Sequence, residues 1–200
     1  GERGTYFQSL RMLATEERGA TLELLDSPYG AVSFLYGDDF ALITNSGSGD
    51  VTAEVVLVGH GLYSPGREWD DYGDTDVEGK IILIVRGKPE NGYDWERADS
   101  RDSTLHEASR RGAAAVLYSQ GPRPIQGGAV HDGSYFPQMP VAYVSHRVVE
   151  HLFMNTGRSR ELYERDLGGK PTPFATGKRI RIWTDVARVP DASARNVIAR

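Results

Sequence analysis

Six carboxylates, Glu68, Asp70, Asp71, Asp74, Asp76 and Glu78, crowd the stretch that leads into the apolar run "KIILIV". Such a cluster can hold a divalent cation, work as an acid/base pair, or sit in water. Asp74, Asp76, Glu78 and Gly79 occupy positions one, three, five and six of a calcium loop. Position nine would then be Ile82 and position twelve Val85, and neither can supply the bidentate carboxylate that closes such a loop. An acid/base pair needs two carboxyls facing each other in a cleft with their pKa values pushed apart, whereas six acids in one hydrophilic loop read as exposed. Carboxylates about 4 Å apart in water repel by only about 1 kcal/mol. The sequence therefore predicts a solvated turn.

The five histidines, His60, His106, His131, His146 and His151, form no H-x-H, H-x-D or H-E-x-x-H pair. His146 and His151 stand five apart, off a common helix face, so structural or surface roles are expected. No G-x-S-x-G elbow, G-x-G-x-x-G turn or P-loop is present. Zero Cys excludes disulfides, thiolate zinc sites and cysteine nucleophiles. No catalytic, cofactor-binding or metal-ligating residue is assigned, and a non-catalytic α/β module is the reading of the residues alone.

A net charge of -5 opposes general binding to nucleic acid or an anionic membrane, since both need a basic field. No apolar run reaches the roughly 18–20 residues that span a bilayer, so no membrane insertion is expected. With 39% hydrophobic residues in 200, a substantial packed core is possible.

Several elements must position whatever chemistry there is. Strands are predicted in "YFQSLRML", "ATLELL", "AVSFLYG" and "FALIT", with a polar turn or linker at "NSGSGD". The continuous apolar runs "AEVVLVGHG" and "KIILIVRG" predict strands buried on both faces. Pro89 to Ser103 reads as an exposed loop. Asp102 or Ser103 then caps a helix carrying Leu105, Ala108 and Arg111 on one face, with Glu107 reaching back toward the cap and Gly112 ending it. "AAAVLYS" is a buried strand, "GPRPIQGGAVHDGSYFPQMP" a long loop, and "VAYVS" a strand. Ser145 opens a second helix with the apolar stripe Val148, Val149, Leu152 and Phe153, stopped at Gly157. A short helix follows in "SRELYERDL". "GGKPTPFATG" reads as a linker, "KRIRIWTDVA" as an edge-type strand, and "NVIAR" as a strand lacking a partner, as expected where a further domain begins.

Four segments in this order, "VVLVGHGL", "DDYGDTDVEGKIILIVRG", "EASRRGAAAVLYS" and "MPVAYVS", resemble the protease-associated domain. The surrounding features are similar to the version carried by di-zinc aminopeptidases of the family-28 metallopeptidases, relatives of glutamate carboxypeptidase and transferrin receptor. In that family a strand ends in V-G-x-G, an acidic D-Y-x-x-x-D-V-x-G-K turn leads to a buried strand ending in R-G, a helix ends in G-A, and I-P-x-x-x-V-S opens another helix. The resemblance covers about Glu54 to Phe153. His60 stands where the family often has Tyr, and the Pro89–Ser103 loop is longer than in minimal versions.

The resemblance implies an α+β fold, a β-sandwich or open barrel with two or three flanking helices. It divides the chain into residues 1–44 as strands leading in from a peptidase domain, 45–165 as the core of the protease-associated domain, and 166–200 as a return strand and linker with the start of the peptidase domain. It implies an accessory role in a secreted or periplasmic zinc-dependent aminopeptidase, with the zinc and its ligands expected in the peptidase domain beyond Arg200. The partners implied are that peptidase domain and a peptide or protein substrate, met on the loops Tyr63–Tyr72 and Gly121–Pro137. The alternative is a protein-binding module of a non-peptidase receptor or sorting protein.

Overall fold

The computed structural model describes residues 7–11, 14–44, 46–95, 98–119, 135–189 and 193–197. Its centre is four strands that run parallel side by side: β5 (Gly49–Leu57), β8 (Ile81–Val85), β9 (Ala115–Ser119) and β10 (Val141–Val144). Helix α1 (Arg101–Arg110) makes the crossover between β8 and β9, and α2 (His146–Phe153) and α3 (Arg160–Asp166) follow β10.

Antiparallel strands extend this centre on both sides. β11 (Phe174–Val189) lies between β5 and β2 (Ala14–Leu24), and β3 (Val32–Phe34) pairs with β2. On the other side β4 (Phe40–Leu42) pairs with β10. The order is thus β3-β2-β11-β5-β8-β9-β10-β4. Its two outer strands, β3 and β4, are joined by one short turn in which Tyr36 bridges Phe40, so the sheet curls into a nearly closed barrel. The fold is α+β, as the resemblance implied.

Period-two alternation divides the parallel strands between two cores. Val55, Leu57, Ile81, Leu83, Leu117 and Val144 point into one cluster to which all eight strands contribute, and α2 covers it with Val148, Val149, Leu152 and Phe153. Val56, Ile82, Ile84, Val116 and Tyr118 point the other way, onto Leu105 and Ala108 of α1 and onto Tyr72 and Val77. Burial on both faces is why "VVLV" and "IILI" show no polar alternation.

Several local expectations need correction. β11 is no edge strand: it is paired along both sides and begins at Phe174, inside the stretch read as a linker. "NSGSGD" is not a free turn, because Ser46 is fully buried and its Oγ accepts the N–H of Val141, while β5 already starts at Gly49. A Cβ on Gly47 would lie 2.0 Å from the Phe136 carbonyl oxygen, so only glycine fits there.

Within Pro89–Ser103, Trp95 is only 1% exposed, packed edge-on against Trp69 at 5.2 Å with its Nε1 donating to Asn91. The cap of α1 is Ser100, whose Oγ accepts from Ser103 N, and Glu107 turns instead to Arg110 and Arg111. α2 ends before Gly157, with Asn155 taking a left-handed φ of 60°. The strand at "NVIAR" does find a partner: β12 (Ser193–Val197) runs antiparallel to β1 (Phe7–Arg11), in the register Phe7↔Val197. No helix among the described residues is long and apolar enough to cross a membrane.

Candidate functional site

The acidic loop is not uniformly solvated. A small hairpin of β6 (Tyr63–Ser64) and β7 (Trp69–Asp70), closed by a 3-10 turn at Pro65–Arg67, delivers Asp71 into the interior with 0% exposure. One oxygen of Asp71 accepts the backbone N–H groups of His60 and Leu62 at 3.0 and 2.9 Å, and the other accepts the Trp69 indole at 2.6 Å. Burial raises its pKa above the usual 3.8, and these donors only partly offset the rise. Asp70 accepts from Arg111 at 2.9 Å. Asp74, Asp76 and Glu78 are exposed, with Asp76 accepting from Glu78 N. Among the described residues no three His, Asp or Glu side chains converge as a metal centre requires.

The segment that Asp71 holds is the turn after β5. Gly59 has φ +62°, and a Cβ there would lie 2.4 Å from Pro171 Cγ, so a side chain fits neither its conformation nor its surroundings. Gly59 N donates to the hydroxyl of Tyr163, whose own pKa is raised chiefly by burial. Between these anchors His60 is buried, with Nδ1 2.7 Å from the Val85 carbonyl oxygen. A carbonyl only accepts, so Nδ1 carries the proton.

His60 stands at the carboxyl ends of the parallel strands, where α/β sheets commonly bind ligands. Two hollows meet there and share His60 and Arg86. The smaller, about 140 Å³, lies toward α1 and is lined also by Arg101, Thr104, Tyr118 and Tyr143. The larger, about 430 Å³, opens toward α2 and α3 past Lys88, Ser119, His146 and Arg165. Arg86 Nη1 donates to the Tyr143 hydroxyl at 3.4 Å, and the Thr104 and Tyr118 hydroxyls are 2.7 Å apart. A third, open hollow of about 450 Å³ lies between Tyr63, Arg67 and Trp95, on the predicted loop Tyr63–Tyr72.

The structure thus brings together His60 and Arg86, which carried no assigned role in the sequence. The signal was available: each stands just past a buried parallel strand. The other described histidines go elsewhere, His106 against Phe136 and His151 edge-on to Phe34, and His146 reaches only the larger hollow. His131 and the part of Gly121–Pro137 before Tyr135 lie outside the described residues.

A nearly closed sheet, parallel at its centre and flanked by three helices among the described residues, defines an α+β fold of the protease-associated type. Among solved structures, an aminopeptidase from Aneurinibacillus sp. strain AM-1 is similar with a TM-score of 0.56 and 18% identity, over 95% of this chain and 36% of that one. A zinc aminopeptidase from Bacillus subtilis is similar with a TM-score of 0.50 and 16% identity, over 94% of this chain and 34% of that one. The chain therefore spans about a third of the length of these enzymes. No family model matches the sequence, and no curated protein does.

Proposed function

We propose that this chain is a non-catalytic protease-associated module of a zinc-dependent aminopeptidase, which shapes the access of peptide substrates to an adjoining peptidase domain. The observation that carries the reading is one of coverage: nearly all of this fold corresponds to about a third of an aminopeptidase chain. The pairing of β1 with β12 supports it, because entry to and exit from the barrel then lie side by side, as an inserted domain requires. In this reading the zinc ligands and the general base belong to the peptidase domain, and the whole protein acts outside the cytoplasm.

The test compares this chain with a protein that continues into the peptidase domain. With added zinc, this chain alone should leave aminoacyl-p-nitroanilides intact, and the longer protein should hydrolyse them. Removing the module should lower kcat/KM for oligopeptides more than for the small nitroanilides. Turnover by this chain alone, or equal losses for both substrate sizes, would overturn the proposal.

A further inference from the structure

We propose that the small cavity between β8, β9, β10 and the start of α1 binds a single carboxylate group of a peptide. Its volume of about 140 Å³ is well below the roughly 300–1,000 Å³ of sites that enclose whole small molecules. It has room for one charged group, while the 430 Å³ hollow that shares His60 and Arg86 leaves room for the atoms attached to that group.

The charge of the walls sets the sign of the ligand. On a chain with a net charge of -5, this cavity collects the guanidinium groups of Arg86 and Arg101 beside His60, and among the described residues that line it one is acidic, Asp99. Asp99 is itself 3.8 Å from Lys88. The Nε of Arg101 is buried and has no hydrogen-bond partner among the described residues. A desolvated cationic donor without an acceptor is unfavourable, and such a group in a folded protein calls for an explanation. An oxyanion in the cavity that Arg101 lines would pair with its guanidinium charge.

A hydroxyl completes the set. Tyr143 accepts from Arg86 and keeps its own proton to donate, whereas Thr104 donates to the Arg101 carbonyl at 3.0 Å and so accepts from the Tyr118 hydroxyl, which leaves Tyr143 as the hydroxyl donor for the ligand. Burial raises the Tyr118 pKa further, so this group stays a neutral donor to Thr104. Asp99 lowers the net positive charge of the walls and so reduces the advantage a dianionic phosphate would have over a singly charged carboxylate. A carboxylate also matches the planar fork of a guanidinium.

Only the peptide source of the ligand rests on the accessory-module reading. Binding is measured on this chain without any peptidase activity, so failure of one leaves the other standing. The 15N-labelled chain is titrated with N-acetylglycine, which offers a chain-end carboxylate, with N-acetylglutamic acid α-amide, which offers a side-chain carboxylate, and with inorganic phosphate. Saturable shifts of the Arg86, Gly87, Arg101 and Thr104 amides are expected with at least one carboxylate, and the tighter of the two names the source.

Arg101→Gln should weaken that binding about tenfold, and Tyr143→Phe by several-fold, with Arg101→Lys in between. If Arg101→Gln collapses the amide dispersion, Tyr143→Phe decides. No saturable shift with either carboxylate, phosphate binding more tightly than both, or unchanged binding in the folded variants would overturn the proposal.

Discussion

Asp70 and Asp71 differ from Asp74, Asp76 and Glu78 in fate, although all five stand in one acidic run. Asp71 is sealed from solvent with three donors on its carboxylate, and Asp70 is clamped by Arg111. The later three face water. What separates them is the company that the fold delivers. The turn after β5 presents two N–H groups that have no strand partner, and the Trp69 indole adds a third. Among the described residues no such donor reaches Asp74. A carboxylate is buried where distant backbone donors need an acceptor, and residue type alone does not reveal where that is.

The strongest way to break this contrast is Asp71→Ala, which leaves three donors without an acceptor in a dry site. It should cost about 3 kcal/mol or more of unfolding free energy in urea titrations. Arg111→Ala comes next. Arg111 is 17% exposed, bonds both Asp70 and Glu107, and lies 4.3 Å from the Tyr72 ring centroid. Its loss should cost about 2 kcal/mol, and that of Asp70 about 1 kcal/mol, by the same measurement.

The pH dependence sharpens the comparison. A carboxyl whose pKa is higher folded than unfolded binds its proton more tightly in the folded state. Asp71 therefore makes stability fall as pH rises from about 3.8 through its raised value. The stability of Asp71→Asn relative to the unmutated chain should accordingly improve over that window, and an unchanged difference would contradict the burial argument. Asp26 acts in the opposite sense: hydrogen bonds from Arg179 hold it at about 2, so its contribution is present above 3.8 and is lost as pH falls toward 2. Acid unfolding of Asp26→Asn should be correspondingly less steep. The smallest effects belong to Asp74→Ala and Asp76→Ala, which should stay within about 0.5 kcal/mol.

Much of the frame was legible. "IILI" and "VVLV" announced strands buried on both faces, and the stripe Val148, Val149, Leu152 and Phe153 announced the buried face of α2. These readings hold because hydrophobic periodicity reports burial directly. The central place of β11 was hidden, because the alternation in "KRIRIWTDVA" describes one solvated face and is silent on how many neighbours a strand has. Trp95 was hidden in a polar stretch, since one large ring can anchor a loop while the preceding Asn91, Gly92, Tyr93 and Asp94 stay exposed.

The site shows the same division. His60 and Arg86 were visible as residues, and their meeting was not. They come from the ends of β5 and β8, which are sequence-distant strands made adjacent by parallel pairing. The carboxyl ends of a parallel sheet gather such residues at one rim.

By itself, then, the sequence determined the two-sided burial of the parallel strands, the apolar face of α2, and the absence of thiolate chemistry. Those depend on local composition and period. Tertiary structure alone decided which acid of the loop is buried, which strand is central, and that His60, Arg86, Arg101 and Tyr143 share a cavity. Those depend on hydrogen-bond donors and neighbours supplied by segments far away in the chain, which no local pattern encodes.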